Sequence, residues 1–177
     1  MIYYEDGIYT VRNLEEKDIE EIVRGEIEQG WNASDEKYRM RLKHQREGRC
    51  IPLVAEYYNS VVGYVNVYFH ASAGPFMEKG YPEIVDFGVL EKYRNHGIGS
   101  RLMDAAEKIG FEFSDIICIG VGLHSGYGNA QRMYVKRGYV PDGSGVWYQD
   151  SICEPYSNCC NDDDLVLYLS KRNEQKR

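Results

Sequence analysis

Residues 84–102, IVDFGVLEKYRNHGIGSRL, constrain this chain more than any other stretch. Residues 84–90 are apolar with β-branched and aromatic members and read as a strand. From Gly97 a helix is predicted to run to Phe113, with Ile98, Leu102, Ala105, Ala106, Ile109 and Phe113 on one face. Between them lies Arg94-Asn95-His96-Gly97-Ile98-Gly99-Ser100, a turn that leaves the first N–H groups of the helix without ladder partners. Gly97 and Gly99 allow close backbone approach, so the turn suits a pyrophosphate held by N–H groups and the helix dipole. The dipole contributes about 0.3–2 kcal/mol per well-placed charge.

Three other phosphate-binding turns do not fit. The dinucleotide fingerprint and the kinase glycine-rich loop both need glycine where Leu102 stands, and a Walker loop needs Gly-Lys-Ser/Thr after its glycines. A bare Gly-x-Gly also occurs at ordinary helix entries, so the rest of the chain must decide.

Residues 8–14 alternate apolar and polar as a first strand, and residues 15–28 follow with helical spacing at Ile19, Ile22, Val23 and Ile27. Ser34 caps a second helix reaching Glu47, without a full capping box because Lys37 stands three residues on. Residues 51–58 and 61–69 are β-rich and joined by Asn59-Ser60 into an antiparallel hairpin. Gly74, Pro75, Gly80 and Pro82 make 70–82 a loop, and 116–121 is a short apolar strand of the buried kind. The strand at 84–90, its helix and this strand form a parallel βαβ pair. A short helix over 129–137 ends at Gly138, and 139–148 and 165–169 are final strands around a polar loop. The order implies one α/β domain over 1–170, with 171–177 (KRNEQKR) a frayed polar tail.

The 177 residues are 43% hydrophobic and 13% aromatic, enough for a real core. A formal charge of −7 disfavours nucleic acid as partner and favours a cationic one. The acids in the first 18 residues and the lack of an unbroken apolar stretch argue against a signal peptide or spanning helix, so the expected location is cytoplasmic, away from the membrane. Cys50, Cys118, Cys153, Cys159 and Cys160 are odd in number and expected to be reduced. Cys153, Cys159 and Cys160 lie near three aspartates but lack paired Cys-x-x-Cys turns, so no metal is expected. Sixteen tyrosines leave room for an aromatic homodimer interface.

Arg94, Gly97 and Gly99 match Arg/Gln-x-x-Gly-x-Gly/Ala, the pyrophosphate loop of the GNAT N-acetyltransferase superfamily, which this chain resembles. Val89 and Tyr93-Arg94 are also similar, and NAQRMYVKRGY (129–139) resembles the family's second signature, an Asn followed by a helix, a Tyr and a Gly-aromatic end. The resemblance implies a mixed, mostly antiparallel sheet whose parallel pair is splayed where acetyl-CoA enters. It implies that Phe87, Gly88 and Val89 offer backbone bonds to the acetyl and pantetheine part, with an N–H near Val89 as oxyanion donor. Arg94, Asn95, His96, Gly97, Ile98, Gly99 and Ser100 would hold pyrophosphate, and Asn129 would contact pantetheine.

An amine attacking a thioester must lose a proton, and the departing thiolate benefits from gaining one. Tyr134 is the candidate acid, its alternative being a plain core position. Residues 84–100 look like the corresponding part of polyamine acetyltransferases, but those carry a catalytic Glu where this chain has Val85. Asp86, pointing to the opposite face of the strand, becomes the candidate base or else a structural acceptor, with Glu83 and His124 in reserve. In the family the acceptor site is built largely from the loop between the first two helices and the loop between the last two strands. The first carries Glu26, Glu28 and Trp31; the second carries Asp150, Glu154, Tyr156 and Asp162-Asp163-Asp164 after Trp147 and Tyr148. Carboxylates beside aromatic faces suit a cation. The expectation is acetyl transfer from acetyl-CoA to a primary amine of a small cationic acceptor by direct attack, with Glu28, Trp31, Trp147 and Asp150 contacting it. A non-catalytic acyl-CoA sensor and a protein N-acetyltransferase are the rivals.

Overall fold

The computed structural model describes residues 1–174 and has a mixed α/β fold that divides into two compact units. The first comprises Met1–Tyr68 and Ile84–Ile109; the second comprises Phe69–Glu83 and the chain from Gly110 onward.

In the first unit, β1 (Ile2–Glu5), β2 (Tyr9–Asn13), β3 (Cys50–Tyr57), β4 (Ser60–Tyr68) and β5 (Glu83–Val89) lie side by side in that order. The pairs from β1 to β4 are antiparallel. The apolar run of β4 is buried from Val61 to Val67, as a central strand covered on both faces must be. Helices α1 (Ile19–Glu28) and α2 (Asp35–Arg46) pack Ile19, Ile22, Tyr38 and Leu42 against Leu14, Val54, Val61 and Tyr64. Ser34 caps α2 as expected, its side chain accepting from the Glu36 N–H at 3.2 Å. Helix α3 (Ile98–Phe113) buries Ile98, Leu102, Ala105, Ala106 and Ile109. Phe113 departs from that face: it is exposed and lies against Phe69, ring centroids 4.3 Å apart.

In the second unit the strand order is β6 (Ile116–Gly122), β9 (Leu165–Arg172), β7 (Val140–Tyr148), β8 (Ser151–Ile152), all antiparallel. Helix α4 (Gly128–Lys136) precedes β7, and Gly138 beyond it takes φ +87°. Ala71, Phe76, Cys118 and Tyr168 form a core cluster with Trp147 and Val166 against it.

Several boundaries differ from the sequence expectation. β1 and β8 were not expected; both are short strands, of four and two residues, with mostly exposed side chains and little periodic signal. The hairpin turns at Tyr58 and Asn59, with φ +48° and +63°, because a two-residue loop needs left-handed backbone to follow strand twist. α1 turns Ile27 to solvent and buries Glu26. The supposed tail begins as strand: Lys171 pairs with Ile117 and Arg172 with Ile116, so ladder bonding overrides a polar sequence. Residues 175–177 of that tail lie outside the described residues.

One buried ionic knot ties the entry of the chain together. Arg12 on β2, 8% exposed, is held by Asp18 through two bonds of 2.7 Å, by Glu56 on β3 at 2.5 and 3.0 Å, and by the Asn13 carbonyl at 2.9 Å. Asp18 also caps the first helical turn by accepting from the Glu15 N–H at 2.8 Å. The Asp18 hydrogen bond leads in pushing the Arg12 guanidinium above its ordinary range. Removing Arg12 strands two carboxylates in apolar surroundings. Arg12→Ala is expected to lower unfolding stability by about 3 kcal/mol, read as a fall in urea midpoint at unchanged slope.

Candidate active site

β5 and the turn after it carry the residues expected from the sequence to hold a pyrophosphate. Asp86, in the middle of β5, takes φ +53°, a left-handed conformation that aspartate tolerates better than most L-residues. The strand then approaches β4 closely at Gly88. A Cβ on Gly88 would lie 2.7 Å from the Tyr64 ring, and one on Gly63 would lie 2.9 Å from the Gly88 carbonyl oxygen.

Beyond β5, Asn95 (φ +65°) and Gly97 (φ +76°) turn the backbone into α3. The Arg101 N–H bonds the Gly97 carbonyl at 3.2 Å, leaving the N–H groups of Ile98, Gly99 and Ser100 ahead of the helical ladder. Side chains brace the turn. Tyr9 donates to the His96 carbonyl at 3.0 Å, His96 Nδ1 lies 2.9 Å from the Arg94 carbonyl, and Arg94 Nε donates to the Val89 carbonyl at 3.2 Å. The Arg94 guanidinium lies 5.7 Å from the Trp31 ring. Glu28 faces Lys92 at 3.7 Å. Trp31 and Glu28 are therefore engaged by residues flanking the donor turn.

A charged network lies beneath β5. Glu26, 2% exposed, accepts from Tyr64 at 2.5 Å and pairs with Lys37 at 3.4 Å. Lys37 reaches Asp86 at 3.6 Å, and Arg41, one turn further along α2, reaches it at 3.7 Å. Burial pushes the phenols of Tyr38 and Tyr64 well above their ordinary range. Asp86 thus sits between two cations. Sequence reasoning did not foresee this arrangement, because Glu26, Lys37 and Arg41 have no periodicity that marks them apart from surface charges.

The second unit holds a cavity of about 270 Å³ lined by Trp147, Gln149, Asp150, Asp163, Asp164, Val166 and Tyr168. Trp147 and Asp150, expected at the acceptor end, come together here. The Trp147 ring stands edge-on to Tyr168, centroids 5.6 Å apart, and its Nε1 donates to Ser144 at 2.7 Å. Glu83, 9% exposed at the start of β5, feels the charge of Asp150. Burial above all, then Asp150, pushes its carboxyl up to about 7, against a backbone hydrogen bond from Ser72. Burial and then the charges of Glu83 and Asp150 push the Tyr168 phenol up to about 12.

His124 is spoken for. Its Nδ1 accepts the Gly126 N–H at 3.1 Å, which puts the ring proton on Nε2, 2.9 Å from Asp163. Tyr127 donates to the same Asp163 oxygen at 2.8 Å, so this pair fixes one wall of the cavity, and the His124 bond leads in holding the Asp163 carboxyl below its usual range. Tyr134 is buried on α4, and burial pushes its phenol up. Asn129 is the exposed second residue of the same helix. Cys50 and Cys118 are buried free thiols, and Cys159 and Cys160 are exposed ones. Among the described residues no group of three or more His, Cys, Asp or Glu is placed to hold a metal ion, and no helix is long and apolar enough to cross a membrane.

The profile of the acetyltransferase (GNAT) family matches residues 16–139. No curated protein matches the chain significantly. Among solved structures, Ard1 from Thermoplasma volcanium is similar at TM-score 0.67 and 22% identity, over 93% of this chain and 97% of that one. An acetyl transferase from Salmonella typhimurium that modifies the N-terminal serine of ribosomal protein L7/L12 is similar at TM-score 0.71 and 12% identity, over 98% and 100%. Arabidopsis thaliana Naa50, in complex with a bisubstrate analogue, is similar at TM-score 0.62 and 17% identity, over 93% and 99%.

The Glu83 environment has a thermodynamic signature. A carboxyl whose folded pKa is raised from 4.5 to about 7 favours the folded state fully below about pH 4.5, and that contribution is lost as pH rises through 7. Glu83→Gln should therefore lose less thermal stability than the parent between pH 5 and pH 8, by up to about 3 kcal/mol. Parallel melts of both proteins across that range measure it.

Proposed function

We propose that this chain, which belongs to the acetyltransferase (GNAT) family, transfers the acetyl group of acetyl-CoA to the primary amine of a cationic acceptor, as one catalytic domain over residues 1–170. The observation that carries the reading is the donor turn: N–H groups ahead of the helical ladder at the start of α3, glycine at φ +76°, and a β5 whose Gly88 carbonyl leaves no room for a Cβ at Gly63 of β4. These features fit the diphosphate and the narrow pantetheine arm of CoA. When bound, acetyl-CoA supplies an acetyl thioester, an acyl group already activated toward amines.

The chain's residues then take distinct tasks. Ile98, Gly99 and Ser100 present N–H groups to the pyrophosphate, on a turn shaped by Arg94, Asn95, His96 and Gly97. Phe87, Gly88 and Val89 offer backbone groups to the donor arm, the N–H near Val89 facing the oxygen where negative charge develops. Asn129 contacts pantetheine. Glu83 takes the amine proton, since a carboxyl near 7 is partly ionised at neutral pH yet basic enough to accept it. Asp86, between Lys37 and Arg41, serves as an anchor in this scheme. Tyr134, kept protonated by burial, donates to the departing thiolate.

The cavity supports a cationic acceptor. Asp150, Asp163 and Asp164 with the faces of Trp147 and Tyr168 give charge pairing and cation–π contact. A small polyamino compound fits this description. So does the protonated α-amino group of a protein chain, a second reading favoured by the Salmonella acetyl transferase that modifies an N-terminal serine.

Release of CoA measured across polyamines, peptides with free N-termini and acidic amines separates these readings. Cationic small molecules are expected to lead; selective turnover of peptides would move the acceptor to protein N-termini, and preference for acidic amines would overturn the cationic assignment. Tyr134→Phe should lower kcat by about 100-fold with CoA binding retained. In the parent, kcat/KM should rise with pH through a limb near 7, and Glu83→Gln should lose that limb.

A further inference from the structure

β5 carries a left-handed residue, Asp86 at φ +53°, next to the backbone groups assigned to the donor. Aspartate tolerates that conformation better than most L-residues, yet within a strand it still costs free energy, and contacts from outside β5 hold it. Two elements do so. From β4, Asn66 is 4% exposed within a run of valines, and its Nδ2 points at two successive carbonyls of β5, Val85 at 3.1 Å and Asp86 at 3.4 Å. An amide buried in such a strand is costly unless bonded, and here these two carbonyls are its partners. From α2, Lys37 and Arg41, four residues apart and so on one helix face, converge on the Asp86 carboxylate. Lys37 is itself fixed by Glu26 and lies 4.6 and 4.9 Å from the ring centroids of Tyr38 and Tyr64.

We propose that Asn66 and Lys37 are positioning residues for acetyl transfer: they clamp β5 at left-handed Asp86, Asn66 by the Val85 and Asp86 carbonyls and Lys37 by the Asp86 carboxylate, and thereby aim the N–H groups of Phe87, Gly88 and Val89. The proposal rests on the donor reading of β5. Donors that stabilise developing charge act only when already in place, and a misplacement of about 1 Å can cost about 100-fold in rate. The close approach at Gly63 and Gly88 sets the separation of the strands, while the clamp sets the rotation of the peptide planes that follow Asp86.

The test compares Asn66→Ala, Lys37→Met and Lys37→Arg with the parent in three measurements: kcat with a saturating amine, affinity for CoA by calorimetry, and amide hydrogen exchange over residues 84–90 without donor. Asn66→Ala and Lys37→Met should each lose about 10- to 100-fold in kcat with CoA affinity within about threefold of the parent. Lys37→Arg should recover most of the loss, and exchange at 86–89 should quicken in the first two variants but not in β3. Parent-like kcat in variants that melt normally overturns the proposal, as does an equal loss in kcat and CoA affinity. If Asn66→Ala does not fold, the Lys37 pair decides, since that side chain is only part-buried, 31% exposed. A parent that neither binds CoA nor turns over removes the donor reading and the catalytic role with it; the exchange measurement still judges the clamp, and unchanged exchange removes that too.

Discussion

The separation of β4 and β5 at Gly63 and Gly88 is the constraint on which the proposed donor site depends. Two glycines facing across adjacent strands bring backbone within 2.9 Å of where a side chain would begin. The Tyr64 ring fills the space beside Gly88 and, through its hydroxyl, ties the strand to the buried Glu26 of α1. Sheet, helix layer and charged network are thus coupled through a few atoms at one level of the strand. Close-packed interiors transmit such displacements and do not absorb them, so the geometry of this level is set by packing on both faces.

Charge is used inside the first unit in a balanced way. Arg12 is matched to Asp18 and Glu56, and Lys37 and Arg41 to Glu26 and Asp86. Each knot crosses from one element to another, so it specifies which elements meet and adds little net stability, because desolvation offsets most of the attraction. The cavity in the second unit is different. Its Asp150, Asp163 and Asp164 line the same space as Trp147 and Tyr168, and Asp163 is restrained by the neighbouring His124 and Tyr127.

The fold was legible where side-chain periodicity is tied to burial. The face of α3, the hairpin of β3 and β4, and the cap at Ser34 all follow from local rules. β1, β8 and the end of β9 escaped because ladder bonding, a backbone property, defines them. The place of the turn of residues 94–100 could be read because its glycines stand directly before a periodic helix. The network around Asp86 could not, since Glu26, Lys37, Asn66 and Asp86 are far apart in sequence and each is commonplace alone. Glu83 was visible only as one acid ahead of an apolar strand; its proton affinity arises from burial that no linear pattern records.

The pairing of Glu83 with Asp150 couples acceptor recognition to proton affinity. Part of what raises the Glu83 carboxyl is the negative charge of Asp150, which lines the cavity. A cation lodged against Asp150 screens that charge and makes Glu83 the stronger acid, and by reciprocity ionisation of Glu83 tightens the hold on the cation. In the proposed scheme a charged acceptor would thereby help to ionise the carboxylate assigned to remove its proton, while a neutral molecule in the same cavity would leave the Asp150 charge unscreened. Charge selectivity would then be a property of the linkage between two carboxylates as well as of the cavity walls.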